Sequence, residues 1–283
     1  MSMVSTSSTD PSSCVRRAAL AALREPEPVH KAALVRALHD ALQAGQATID
    51  PSLVLSEPAG LPGRPARPVL VEPRALERRS MRSPEGRAVL LHALAHIEFN
   101  AINLALDAVW RFAGQPADFY ADWLRVAAEE AHHFSLLADR LAGFGHAYGD
   151  FPAHNGLWDM CERTAADVLA RMALVPRTLE ARGLDASPPI RARLAQAGDH
   201  ASAEILDVIL RDEIGHVAIG NRWFRYLCVR AGRDPVPAYR QLAEQYRAPR
   251  LRGPFNFEAR LSAGFDAAEL AELAAPEGAE PRG

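Results

Sequence analysis

Cysteine is scarce in this chain of 283 residues, which contains only three. Cys14, Cys161 and Cys228 form no CxxC pair and no disulfide framework, as is typical of proteins in a reducing compartment. The N-terminus, MSMVSTSSTDPSSC, is polar and lacks the apolar core of a secretory signal. No apolar stretch approaches the roughly 20 residues of a membrane span. The sequence therefore predicts a cytoplasmic protein with no membrane partner.

The chain also lacks a large net charge, since 32 Lys and Arg residues oppose 35 Asp and Glu residues. This balance excludes a wholly polybasic nucleic-acid binder and an acidic disordered chain, although it leaves room for a local basic patch. Lysine itself is nearly absent, because Lys31 is the only one. Strand signals are scarce, and the apolar share of 48 % is ordinary for a globular protein. We therefore expect an all-α fold.

Long helices dominate the middle of the chain. Ser83-Pro84-Glu85 has the character of a helix start, with proline in the first turn. Glycine-rich and proline-rich stretches separate the helical segments that follow. The stretch 185–189, which ends in a double proline, predicts a break before a short helix over 190–197. The predicted long helices are A (83–112), B (118–142), C (157–183) and D (199–232), and together they predict a four-helix bundle over 83–232.

Segments of a different kind flank this predicted bundle. Residues 1–13 are rich in Ser, Thr and Pro and are predicted to be disordered. Residues 14–82 predict short N-terminal helices and then an extended Pro- and Arg-rich connector, since the prolines between 51 and 74 exclude a helix. Residues 233–283 predict a C-terminal wrapping segment and tail, with a short helix near 267–274.

Two of the long helices carry the same motif, Glu-x-x-His. Residues three apart lie on one helix face, so both side chains can reach a single metal ion. A ferritin-like bundle uses this motif on two helices and adds one glutamate from each of the other two. The motif occurs as Glu130 with His133 on helix B and as Glu213 with His216 on helix D.

Helix B contains a second, overlapping version of the motif, Glu129 with His132. Apolar residues share the helix face of Glu130 and His133, whereas charged residues share the face of the overlapping pair. We therefore expect Glu130 and His133 to face the core and Glu129 and His132 to lie towards the boundary.

The remaining glutamates are chosen by burial and by spacing. Glu98 on helix A lies in an apolar stripe, where a carboxylate without a partner is costly to bury. Glu98 precedes Glu130 by 32 residues. On helix C, Glu180 precedes Glu213 by a similar 33 residues, whereas Glu162 precedes it by 51. Because a helix rises 1.5 Å per residue, this comparison favours Glu180 and keeps Glu162 as the alternative.

The resulting set has four carboxylates and two imidazoles. Such a hard, mostly oxygen site suits a pair of iron ions, with manganese as a second choice, better than zinc or copper. A salt-bridged bundle without metal is the alternative. His92 and His96 are expected to pack near the site or to support its ligands, and additional ligation by either stays open. No catalytic residue beyond the ligands is identified. The predicted metal ligands are Glu98, Glu130, His133, Glu180, Glu213 and His216.

Several stretches carry a family resemblance: HIEFNAINLALD (96–107), AAEEAHHFSLLADRL (127–141), MALVPRTLEARGLD (172–185), ILRDEIGHVAIGNRWF (209–224), PGRPARP (62–68) and PFNFEARLSAGF (254–265). With them, residues 15–270 resemble an uncharacterised bacterial family of ferritin-like proteins in the di-iron carboxylate superfamily. LEARGLD is a hallmark of that family and supports Glu180. More distantly, the chain resembles tRNA-hydroxylating di-iron monooxygenases. It differs from them in the Gly/Pro break after Glu180 and in its additional terminal segments.

The predicted ligand set favours a di-iron oxidase or monooxygenase that uses dioxygen, an unidentified electron donor and an unknown small-molecule substrate. One alternative is iron oxidation or peroxide scavenging without an organic substrate, and another is a metal-free scaffold. A tRNA substrate is less favoured and would need the arginines between 64 and 87 together with Arg247, Arg250 and Arg252. Ferritin-like relatives also suggest a homodimer.

Overall fold

A computed structural model describes residues 14–76 and 80–274 of the chain. The segment 1–13, predicted to be disordered, lies outside the described residues, as do Arg78 and Arg79 of the connector. The described chain divides into two compact units. The first comprises residues 14–67 and 98–135, and the second comprises residues 68–97 and 136–274.

The fold is all-helical, and the described residues form no strand, only isolated bridges such as that between Leu70 and Ala153. A 3₁₀ turn at Pro73–Ala75 lies in the connector, and a six-residue π-helical stretch at Val175–Glu180, the π segment, joins two α-helices. The α-helices are α1 (Val15–Arg24), α2 (Pro28–Gln43), α3 (Pro84–Arg111), α4 (Ala117–Ala142), α5 (Gly156–Arg163), α6 (Val168–Leu174), α7 (Ala181–Gln196), α8 (His200–Arg230), α9 (Pro235–Gln245), α10 (Phe257–Ser262) and α11 (Ala267–Ala274).

The first unit contains α1, α2, the connector as far as Arg67, the second half of α3 and most of α4. The connector is extended, as predicted, and a buried cation fixes it. The guanidinium of Arg16 donates to the carbonyl oxygens of Pro51 and Leu53 in the connector and to that of Trp110 in α3. These bonds give a proline-rich segment the fixed backbone partners that it cannot obtain from a helix.

The second unit is built around α8, its longest helix, which packs against α7. Small and apolar side chains from α7, α8 and the C-terminal segment form its core: Ala181, Leu184, Val217, Ala259, Ala263, Phe265 and Leu270. The C-terminal segment thus wraps onto the unit, and α11 lies at the predicted residues.

Three of the predicted long helices are confirmed to within two residues, namely A as α3, B as α4 and D as α8. The prediction of a continuous helix C over 157–183 is wrong. α5 ends at Arg163, and Asp167 starts α6 by accepting a hydrogen bond from the backbone N–H of Ala170 at 3.0 Å. The π segment, which contains Pro176, then precedes α7. A cap and a proline thus divide the predicted helix.

The predicted break at 185–189 is also wrong, because α7 continues through Pro188 and Pro189. Proline has no N–H, so Pro188 leaves the carbonyl of Leu184 without its helical donor. The side-chain amide Nδ2 of Asn256 donates to that oxygen at 3.2 Å. A long-range contact therefore repairs the helix at the point where the local sequence predicts its end, and the separate short helix over 190–197 is the last part of α7.

One described helix, α3, is long and apolar enough by length and composition to cross a membrane. Most of its apolar stretch is buried within the protein, as expected of a core helix. The expectation that no apolar stretch approaches the length of a membrane span is therefore corrected, because α3 is long and apolar enough. The burial of α3 within the protein accounts for its apolar character.

Candidate metal centre

Three buried ligand groups converge in the first unit. Glu98 projects from α3, and Glu130 and His133 project from α4. The imidazole Nδ1 of His133 lies 3.1 Å from Oε2 of Glu130 and 3.5 Å from Oε2 of Glu98. One ligand atom from each residue lies within 4.8 Å of the others. This arrangement can hold a metal ion.

The helix periodicity explains why these side chains point inward. Glu130 and His133 are fully buried, whereas His132 is exposed and Glu129 is half-buried. The predicted orientation of the overlapping motifs on α4 is therefore confirmed. Glu98 is 3 % exposed, and its own helix is buried throughout the following turns. Each helix thus places a charged side chain in an apolar stripe, where a compensating charge is needed.

The burial of two neighbouring carboxylates in this cluster changes how readily they ionise. Burial, followed by the negative charge of Glu130, raises the pKa of Glu98 to about 8, and the contact with His133 acts in the opposite direction. Two carboxylates so close together in a buried site cannot both ionise without a cation. The donor set of two carboxylates and an imidazole fits a divalent metal ion, which would supply that charge.

The second Glu-x-x-His motif lies in the second unit on α8. Glu213 and His216 are both buried, and Oε2 of Glu213 lies 3.9 Å from Nδ1 of His216. Glu213 faces α7, because a Cβ built on Gly183 would lie 3.9 Å from its carboxylate carbon. Gly183 follows Glu180 by one helical turn, and Glu180 is half-buried at the end of the π segment. Glu180 therefore lies one helical turn before the residue of α7 that Glu213 faces.

The alternative ligand, Glu162, lies in a different setting. It is exposed on α5, and its Oε1 accepts a hydrogen bond from Nε1 of Trp158 at 2.8 Å. An exposed carboxylate with this partner resembles an ordinary surface group. Whether Glu180 serves as a ligand stays a prediction.

The two additional histidines of α3 have partners of their own in the second unit. Nε2 of His92 accepts a hydrogen bond from the backbone N–H of Gly149 at 2.9 Å. His96 contacts the hydroxyl of Tyr148 at 2.9 Å and the carbonyl oxygen of His154 at 3.0 Å. Both imidazoles also stack with Tyr148. These contacts agree with the packing role expected from the sequence.

Two buried arginines of the second unit were not predicted from the sequence. Arg177 and Arg260 are almost fully buried in the second unit. Their signal in the sequence is weak, because an arginine near apolar residues usually extends its head to solvent.

Comparison with known proteins gives a family but no activity. A family model described as "Protein of unknown function (DUF455)" matches residues 24–271. An uncharacterized protein of Haemophilus influenzae is 46 % identical over 260 residues, which cover 88 % of this chain and 90 % of that protein. No solved structure matches the chain significantly.

Proposed function

Since the chain belongs to the family described as "Protein of unknown function (DUF455)", we propose its function from its own side chains. We propose a ferritin-like protein that holds two divalent metal ions and uses them in oxygen-dependent oxidation of a small organic molecule. The buried cluster of Glu98, Glu130 and His133 carries this proposal, because two ionised carboxylates and one imidazole at such a depth require a cation.

The proposed ligands divide between two ions. Glu98, Glu130 and His133 would hold one, and Glu213 with His216, assisted by Glu180, would hold the other. The matched sequence spacings of 32 and 33 residues between the paired glutamates support this assignment. The set has the composition of two-metal carboxylate centres in helical bundles, namely four glutamates and two histidines. Two of the glutamates belong to the Glu-x-x-His motifs.

Iron fits this donor set, because carboxylate oxygens and imidazole nitrogens suit it well. When bound, a pair of iron ions supplies redox chemistry towards dioxygen. The protein's own groups fix the ligands and exclude water, since four of the six proposed ligands are less than 4 % exposed. Buried free cysteines are compatible with the reducing cytoplasm that we propose for this protein.

Metal content is the direct test. The wild-type protein from iron-supplemented cells, reconstituted anaerobically with ferrous iron, is expected to contain about two iron atoms per chain by plasma mass spectrometry. His133→Ala is expected to lose metal, whereas His132→Ala, a change at the exposed neighbouring position, is expected to retain it. Wild-type protein without bound metal would overturn the proposal.

The second half of the centre needs its own comparison. Glu213→Ala is expected to lose metal, whereas Glu204→Ala, a change at an exposed position on the same helix, is expected to match the wild type. Retention of two iron atoms by Glu213→Ala would remove α8 from the proposed centre.

The redox part of the proposal is tested by mixing the ferrous protein with oxygenated buffer. We expect oxygen consumption that depends on His133 but not on His132. Iron binding without oxygen consumption would overturn the redox part of the proposal.

A further inference from the structure

A cavity of about 300 Å³ lies in the second unit, beside the π segment. None of the six proposed metal ligands lines it. Its lining includes the apolar residues Val236, Leu251, Phe265 and Leu273, and also Arg177, Arg250 and Arg260. Its volume falls at the lower end of the range typical of sites for small molecules.

Arg177 is one of two buried arginines in this lining, and its side chain is only 3 % exposed. Its guanidinium donates to Asn221 and, through Nη2, to Glu269, while the buried Nη1 has no hydrogen-bond partner within the described residues. Aromatic rings surround it, with the ring centroid of Phe224 at 4.4 Å and that of Phe265 at 5.1 Å. A buried donor without an acceptor is costly, so an acceptor at this position would stabilise the protein.

Arg260 shows the same pattern near the same ring, that of Phe265. It is fully buried, and Nε and Nη2 donate to the carboxylate of Asp185 at 3.0 and 2.6 Å. Its Nη1, like that of Arg177, is buried and has no hydrogen-bond partner among the described residues. The guanidinium carbon lies 5.4 Å from the ring centroid of Phe265. Two buried guanidinium groups with unfilled donors thus flank one aromatic ring.

The charges around the cavity leave a surplus of one cation. Both lining glutamates are already paired, since Glu269 accepts from Arg177 and Arg225 and Glu272 accepts from Arg240. Arg250 forms no ion pair within the part of the chain that the structure describes. The lining groups and their bonded partners comprise five arginines (Arg177, Arg225, Arg240, Arg250 and Arg260) and four carboxylates (Asp185, Asp266, Glu269 and Glu272).

We propose that this cavity binds a small organic carboxylate with an apolar body. Guanidinium donors match the planar carboxylate group, and the surplus of one positive charge fits a single negative charge better than a phosphate dianion. The apolar lining residues accommodate the body of the ligand, whose removal from water supplies the remaining affinity. This binding site extends beyond the proposed metal chemistry and does not depend on it.

Titration calorimetry of the full-length protein with octanoate tests the proposal, with 1-octanol and inorganic phosphate as comparison probes. Octanoate is expected to bind and both comparison probes to bind at least roughly tenfold more weakly, because each lacks either the charge or the apolar body. Equal binding of octanoate and 1-octanol would overturn the role of the arginines. Equal binding of phosphate would overturn the preference for an apolar carboxylate.

Arg250 gives the sharpest variant, because it is exposed and its replacement leaves the core intact. Arg250→Gln is expected to weaken octanoate binding by about fivefold to tenfold, the loss of one charge-assisted hydrogen bond. Arg252→Gln, at an exposed position outside the lining, is expected to match the wild type. Equal weakening by both changes would indicate only general electrostatic attraction and would overturn the site.

A cavity-filling variant tests location without altering charge. Ala243 of α9 lines the cavity, and Ala243→Phe is expected to abolish octanoate binding by occupying its volume. Gln245→Phe, at an exposed position on the same helix, is expected to bind octanoate as the wild type does. Undiminished binding by folded Ala243→Phe would overturn the assignment to this cavity. The metal content of these variants is expected to equal that of the wild type, which separates a failure here from a failure of the proposed function.

Discussion

The only lysine of the chain is buried in the first unit, and its charge state is open to a direct test. Lys31 is fully buried on α2. Its ammonium group donates to the carbonyl oxygens of Leu23 at 3.2 Å and Gly63 at 2.9 Å, and to the side-chain oxygen of Asn103. Burial, followed by the positive charge of Arg64, lowers the pKa of Lys31 from 10.5 to about 7.

The direction of this shift fixes how stability depends on pH. A lysine whose pKa is lower in the folded state than in the unfolded state binds more protons when the protein unfolds. The free energy of unfolding should therefore rise between pH 7 and 10.5. The slope approaches about 1.4 kcal/mol per pH unit, and the full contribution of Lys31 is on the order of 4 to 5 kcal/mol.

A single lysine makes the measurement simple, because isotopic labelling of lysine gives one side-chain NMR signal. We expect that signal to titrate with a midpoint near 7 in the folded protein and near 10.5 in urea. In Lys31→Met, the difference in unfolding free energy from the wild type should change across the same pH window. A folded-state midpoint near 10.5 would refute the reasoning, since it would mean that the three oxygen acceptors compensate fully for the lost hydration.

Three further predictions concern other parts of the fold and are tested by urea unfolding. Gly220→Ala should destabilise the protein by about 1 to 3 kcal/mol, because the added Cβ would lie 2.6 Å from Cβ of Pro176. Gly215→Ala, on the same helix, places its Cβ in open space and should raise the free energy of unfolding by up to about 1 kcal/mol. Burial lowers the pKa of His92 to about 4, so the free energy of unfolding should fall by roughly 3 kcal/mol from pH 6.5 to 4, and His92→Gln should flatten that fall. Arg16→Met should cost several kcal/mol, because it strands buried carbonyl oxygens, and an unchanged urea midpoint would contradict that role.

The helices that carry Glu98 and the two Glu-x-x-His motifs were predictable because their signals are local. An apolar stripe with helical period marks α3, α4 and α8. Specific residues also mark where such a helix begins and ends, as α8 illustrates. Asp199 caps α8 by accepting from the backbone N–H of Ser202 at 3.1 Å, and Gly232 follows its end with a positive φ of 63°. The same periodicity separated Glu130 and His133 from Glu129 and His132, since three-residue spacing places a pair on one face.

Short helices were harder to predict because a few residues decide them. α9 was not predicted, although Asp234 followed by Pro235 is a start signal. Asp234 accepts from the backbone N–H of Val236 at 3.1 Å, and proline occupies the first turn. α10 likewise begins with a cap, Asn256, whose side-chain oxygen accepts from the N–H of Ala259. Each of these short helices thus begins at a cap that the sequence contains.

The course of α7 could not be predicted, because its integrity depends on residues far along the chain. Local rules place a break at Pro188, and they fail because Asn256, 72 residues beyond Leu184, donates to the carbonyl that the proline leaves without a partner. Arg260 adds hydrogen bonds to Asp185 and to the carbonyl oxygen of Ala181. The C-terminal segment therefore supports the helix that follows the π segment. Because the π segment carries both a proposed metal ligand and a cavity arginine, we expect a loss of this long-range contact to affect both proposed sites.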